Sequence, residues 1–205
     1  MPSRNIIREY SPDSYYHVYN RGVAKQPVFL DAADKKHFLK IISRHLDPSN
    51  TDTRYDSVGY QKYHKDLELL CYCLMGNHFH LLFFMGEDTD ALKKFMHSAL
   101  TAYTMYFNKK YKRIGTLFQG VFKASRITND AYLMHISRYV HLNPRWYRTY
   151  FYSSLAYYTG KKSPAWLHPE RITKLFEGDD YLKFLEDHEE YKSILEELKY
   201  ELADS

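Results

Sequence analysis

Two apolar runs, at residues 67–75 and 78–85, flank the dipeptide Gly76-Asn77 and show no helical period. Runs of that length, rich in Leu, Phe, Cys and Tyr, read as strands, and the Gly-Asn pair between them reads as a tight turn. The second run opens with His78-Phe79-His80. Side chains alternate along a strand, so both imidazoles point to one face while Phe79 enters a core. Two imidazoles side by side on a rigid surface can hold one divalent cation. Taken alone, two nearby histidines are more often neighbours that ligate nothing.

The rest of the chain arranges itself around this hairpin. Residues 15–21 read as a first strand closed by Gly22. Asp31 can cap a helix whose apolar stripe is Phe38, Leu39, Ile41, Ile42 and Leu46, stopped by Pro48. The polar segment from Ser49 to Asp66 has no period and reads as a loop. After the hairpin, Thr89 and Asp90 open a long helix with Leu92, Phe95, Met96, Ala99, Leu100 and Tyr103 at helical spacing, and Gly115 terminates it. Residues 116–127 read as a loop leading into a strand near residue 122. Thr128 or Asn129 then caps a helix to about Leu142, which Pro144 prevents from continuing. Strand, helix, strand, strand, helix, strand, helix predicts an α+β fold: a ferredoxin-like antiparallel sheet with helices packed on one face. An irregular aromatic stretch and an acidic helical extension, from about Asp179 to Ala203, follow.

Charge divides the same way. Residues 177–205 hold 11 acidic and 3 basic side chains, a net of −8, so the other 176 residues carry 26 bases against 14 acids, a net of +12. A basic body in a chain with 21 tyrosines and 12 phenylalanines suits a polyanion with stackable bases. Solvating lysines and a core of aromatics explain the same composition without any partner. Cys71 and Cys73 are too close for an ordinary disulfide and read as reduced, buried strand residues. No apolar run is long enough to span a bilayer, and the N-terminus lacks a signal-peptide core, so a cytoplasmic protein with no membrane partner is expected.

A second constellation, Tyr139-Val140-His141-Leu142-Asn143-Pro144, lies on the last helix of the body. Tyr139 and Asn143 are four residues apart and share a face, while Leu133, Ile136 and Val140 make the stripe that docks the helix on the sheet. If the helix end approaches the histidine strand, His78, His80 and Asn143 offer two nitrogens and one oxygen to Mg²⁺ or Mn²⁺. Tyr139 would then be placed to attack a phosphodiester as nucleophile. Twenty other tyrosines compete for that role, Tyr103 and Tyr106 among them, and Asn143 before Pro144 is also an ordinary helix stop.

In order along the chain come Tyr16-His17-Val18-Tyr19-Asn20-Arg21-Gly22, Met75-Gly76-Asn77-His78-Phe79-His80-Leu81-Leu82, Tyr106-Phe107-Asn108, Gly115 to Lys123, and Tyr139 to Arg145. Over about residues 14–146 this closely resembles the REP-associated tyrosine transposases, within the insertion-sequence transposases that use a His-hydrophobic-His motif and a single tyrosine. The resemblance implies a ferredoxin-like catalytic domain, here residues 1–150, that cleaves and rejoins single-stranded DNA, often folded as a hairpin. It implies Mg²⁺ or Mn²⁺ held by His78 and His80, with Asn143 matching the third ligand position. It implies Tyr139 as the nucleophile that becomes 5′-phosphotyrosine-linked and leaves a free 3′-hydroxyl. Val121 departs from the pattern, since relatives commonly carry Arg there. Residues 151–205 lie beyond the resemblance, and their acidic tail could cover the basic groove or mediate a homodimer.

Arg21, Lys25, Lys109, Lys110, Lys112, Arg113, Lys123, Arg126 and Arg145 are the residues expected to track the DNA backbone. Tyr19 and Phe118 are weaker candidates for base stacking. Two other readings stand beside the transposase: a catalytically silent single-strand-binding module on the same fold, and a relative of replication initiators or plasmid relaxases.

Overall fold

The computed structural model describes residues 10–50, 61–176 and 181–187. Four strands, β1 (Ser14–Arg21), β2 (Leu67–Leu74), β3 (His78–Met85) and β4 (Lys123–Ile127), form one antiparallel sheet in the order β2-β3-β1-β4. With α1 (Ala32–Leu46) between β1 and β2 and α2 (Ala91–Tyr111) between β3 and β4, this is the ferredoxin-like arrangement. The hairpin falls where the apolar runs place it, and Met75 N donates to His78 O across the turn at 2.9 Å.

The sheet is covered on both faces. Tyr16, Val18, Leu69, Tyr72, Leu74, Phe79, Leu81 and Phe83 face α1 and α2. Leu70, Cys71, Cys73 and Leu82 face α3 (Asp130–Leu142). A bulge between Leu69 and Cys71 explains why Leu70 and Cys71 share a face, one extra residue shifting the alternation. So α1 and α2 occupy one face, while α3, expected on that same face, packs with the C-terminal helices on the other. Both faces of β2 and β3 are apolar, and each therefore needs its own cover.

Local signals set the helix ends. Asp31 accepts from Asp34 N at 2.9 Å and Asp34 accepts from Asp31 N at 3.3 Å, a reciprocal cap that opens α1. Asp34 is fully buried and also takes Lys110 Nζ at 2.7 Å and Tyr111 OH at 2.8 Å, tying the start of α1 to the end of α2. Lys112, in the left-handed conformation at φ 51°, stops α2 before Gly115 is reached. Asn129 caps α3 by accepting from Tyr132 N at 2.7 Å.

Beyond α3 the chain runs along the outer edge of β2. Leu74 N donates to Tyr152 O, Ser154 N to Tyr72 O and His168 N to Leu69 O. α4 (Leu155–Tyr158), α5 (Glu170–Thr173) and α6 (Tyr181–Glu186) close over α3, with Leu155, Tyr158, Ile172, Phe176, Tyr181 and Leu185 in its core. The described part of residues 151–205 is therefore built into the fold. Of the acidic helix expected from Asp179 to Ala203, only residues 181–187 are described; the remainder lies outside the described residues.

His141 anchors this layer. Its Nδ1 lies 2.7 Å from Tyr181 OH and its Nε2 lies 2.8 Å from Ser154 Oγ, wholly out of solvent. Burial pushes its imidazolium down to about 3, and burial likewise lowers His17 to about 4. In the unfolded chain both would titrate near 6.5. As pH falls below that value the unfolded state gains protons that the folded state refuses, so stability drops. The two histidines together should cost about 4 kcal/mol between pH 7 and pH 5. Urea melts at the two values check this; equal midpoints would contradict it.

Gly22 fixes the end of β1. A Cβ there would stand 2.0 Å from the Gln26 carbonyl oxygen and 2.9 Å from Val28 Cγ1. Gly22→Ala should therefore force the turn open and destabilise the protein by about 1–3 kcal/mol. An unchanged denaturation midpoint would show that the turn yields freely.

Candidate active site

The strand register assembles the site. His80 sits opposite Tyr19 on one side and Cys73 on the other, and Tyr19 sits opposite Lys123. Paired residues share a face, so Cys73, His80, Tyr19 and Lys123 form one row beneath α3. Arg21 pairs with His78 at the end of the sheet. α3 runs back from the end of β4 toward that same end and brings Tyr139 and Asn143 over the histidines. The Tyr139 ring centroid is 5.2 Å from that of His80, edge to face, and 6.0 Å from that of His17. Asn143 Oδ1 is 3.1 Å from His78 Nε2. The four residues singled out from two distant motifs meet in one place.

The tautomer of His78 follows from its neighbours. Asn77 Nδ2 donates to Lys25 O at 3.0 Å, which turns Asn77 Oδ1 toward His78 Nδ1 at 2.7 Å. An amide oxygen only accepts, so Nδ1 carries the proton and neutral His78 has its lone pair on Nε2. Burial and the nearby Arg21 charge lower the His78 pKa against the opposing bond to Asn143, and burial lowers His80 further, aided by His17 and His78. Both rings are thus neutral at pH 7, the form in which imidazole ligates metals. The His78 lone pair consequently faces an amide oxygen at 3.1 Å. That spacing is compatible with His78 Nε2 and Asn143 Oδ1 serving as two ligands of one cation. The donor set therefore fits Mg²⁺ or Mn²⁺. Among the described residues no group of three His, Cys, Asp or Glu side chains is placed to hold a metal ion.

Of the basic residues, Arg21, Lys25 and Lys123 gather at this end of the sheet, and Arg145 lies two residues beyond Asn143. Lys109, Lys112 and Arg113 lie at the C-terminal end of α2, with the Arg113 guanidinium 5.6 Å from the Phe107 ring. Lys110 serves a different purpose, its ammonium held 2.8 Å from Asp31 and 2.7 Å from Asp34. Arg126 pairs with Tyr16 and so belongs to the opposite face of the sheet from the histidines. Tyr19 and Phe118 are buried, at 8% and 7% exposure, and offer no open ring for a base. Trp146 does: it is 72% exposed, with the Arg145 guanidinium 5.3 Å from its ring. Val121 is also exposed.

Two residues of note were not singled out from the sequence. His17 is buried against His80, with 3.0 Å between His17 Nε2 and His80 Nδ1. Its signal was the strand alternation of β1, which sets His17 and Tyr19 on one face, but only the register shows that this is the face of His80. Trp146 was hidden within the irregular aromatic stretch.

The fold thus brings two histidines, an amide and a tyrosine together at one basic end of the sheet. The family described as Transposase IS200 like matches residues 11–143, and the chain belongs to that family. Among solved structures, a REP-associated tyrosine transposase bound to a REP hairpin is similar at TM-score 0.54 and 12% identity, covering 75% of this chain and 83% of that one. At that identity the likeness speaks for the fold. The tRNA(His) guanylyltransferase of Saccharomyces cerevisiae overlaps at TM-score 0.37 and 12% identity, over 89% of this chain and 81% of that one, too loosely to carry an argument. No curated protein matches the chain. Among the described residues no helix is long and apolar enough to cross a membrane.

Proposed function

We propose that this transposase cleaves and rejoins single-stranded DNA through a covalent 5′-phosphotyrosine on Tyr139, at a site completed by Mg²⁺ or Mn²⁺ on His78, His80 and Asn143. The observation that carries the reading is the meeting of the Tyr139 ring with His80 while Asn143 meets His78, on one face of the sheet. Tyr139 Oη attacks the phosphorus of the scissile phosphodiester, the 3′-oxygen leaves, and the phenol proton passes to water. The DNA 5′-phosphate is then esterified to the protein beside a free 3′-hydroxyl. A 3′-hydroxyl attacking the same phosphorus expels Tyr139 and restores a DNA strand, so joining consumes no nucleotide. A divalent cation bound there supplies Lewis-acid polarisation of the phosphate and aligns the reacting oxygens.

Arg21, Lys25, Lys123 and Arg145 would hold the DNA backbone around this point, and Trp146 would offer a ring for an unpaired base. The hairpin seen with the related structure makes a hairpin-containing single strand the substrate to try first. Labelled single-stranded DNA from the flanks of the gene, incubated with Mn²⁺ or Mg²⁺, should become attached to the protein and stay attached in denaturing gels. Salt-sensitive binding with no attachment under either metal would point instead to a silent binding module.

A further inference from the structure

His78 has its Nδ1 occupied by Asn77 and therefore presents Nε2 to Asn143. His80 has its Nδ1 occupied as well, by His17 Nε2 at 3.0 Å. The two rings are tilted by only 21°, with centroids 5.1 Å apart, the near-coplanar geometry of a ring-to-ring hydrogen bond. One nitrogen must donate and the other accept, and the choice fixes which His80 nitrogen keeps a lone pair. His17 itself is held between Tyr19, at 5.2 Å, and the edge of Tyr139. It is 2% exposed, so no bulk water competes for the bond.

We propose that His17 is a positioning residue for the cation site: it accepts from His80 Nδ1–H and so holds His80 in the tautomer that presents Nε2 for ligation. Both histidines of the motif then offer the same nitrogen, one oriented by the hairpin turn and the other by a neighbouring strand. The proposal rests on the reading of His78, His80 and Asn143 as a cation site. Partners of this kind, which set ring orientation and tautomer, act on metal affinity without touching the metal.

Two readouts test it. In the metal-free protein, long-range nitrogen–proton correlation spectra of the imidazoles should show His80 protonated on Nδ1. In His17→Phe, which fills the space but accepts nothing, His80 should shift to Nε2–H while His78 stays protonated on Nδ1. Mn²⁺ titration should then find His17→Phe weakened about 10–100-fold, the range typical of lost outer partners. His17→Gln places an amide oxygen near the Nε2 position and should restore affinity to within a few-fold of wild type, which a mere packing role would not predict. Wild-type His80 protonated on Nε2, or His17→Phe binding Mn²⁺ as tightly as wild type, overturns the proposal. A wild type that ignores Mn²⁺ overturns the cation reading and the role of His17 with it. The metal-free spectra tell those failures apart.

Discussion

Tyr139→Phe is expected to eliminate the covalent protein–DNA adduct and to lower strand cleavage by at least about a thousandfold, the scale on which loss of a nucleophile acts elsewhere. The substitution removes one oxygen and leaves the ring that packs against His80, so the fold should be spared. Tyr103→Phe and Tyr106→Phe are the matching controls. Tyr103 OH donates to Val28 O at 2.6 Å, and Tyr106 OH donates to Asp34 at 3.1 Å. Both sit in the α1/α2 layer, on the far side of the sheet from the histidines. Removing either hydroxyl should cost about 1 kcal/mol of stability and leave adduct formation intact. Denaturing gels of labelled DNA decide the matter, and an adduct that persists in Tyr139→Phe would end the assignment.

His80→Ala and His78→Ala should each remove metal-dependent cleavage, with rates down by about a thousandfold, because several kcal/mol of charge stabilisation at the phosphate goes with the cation. DNA affinity should change little, since the basic residues remain. Asn143→Ala should act in the same direction but less strongly, because water can replace one neutral oxygen ligand. The measurement is cleavage rate against Mn²⁺ concentration for each variant. A His80→Ala protein that cleaves at the wild-type rate, with the same Mn²⁺ dependence, would show that the paired imidazoles serve only to pack the sheet against α3.

The parts of this molecule that could be read from sequence are those with local causes. Alternation places Phe79 in one core and His78 and His80 on the other face, and no distant residue can reverse that. The cap residues Asp31 and Asn129 act within their own helix turns. Tyr139 and Asn143 share a face because helix geometry demands it. What stayed hidden depends on pairing between segments far apart. His17 reaches His80 only through the β1–β3 register, diagonal to its own partner Leu82. Lys110 reads with its neighbours as a contact to the DNA backbone, and only the fold shows α1 bringing Asp34 beneath it. Arg126 and Lys123, three residues apart on one strand, must take opposite faces, but only the pairing of β4 with β1 shows that Lys123 is the one on the histidine face. His141, inside the Tyr139 to Pro144 constellation, serves the C-terminal layer instead of the site, because Tyr181 and Ser154 arrive from later in the chain.

A sheet with a bare rim invites other sheets to extend it, and the course of residues 152–168 removes one such invitation. The amides and carbonyls along the outer side of β2 are already answered from within the same molecule, by Tyr152, Ser154 and His168. Two copies could merge their sheets there only after peeling that segment away, together with Leu155 and Leu167, which it buries. The opposite rim, β4, spans five residues and carries Lys123 and Arg126, charges that repel a like strand approaching side by side. Among the described residues, neither rim of the sheet is therefore well placed to carry a ladder into a second copy.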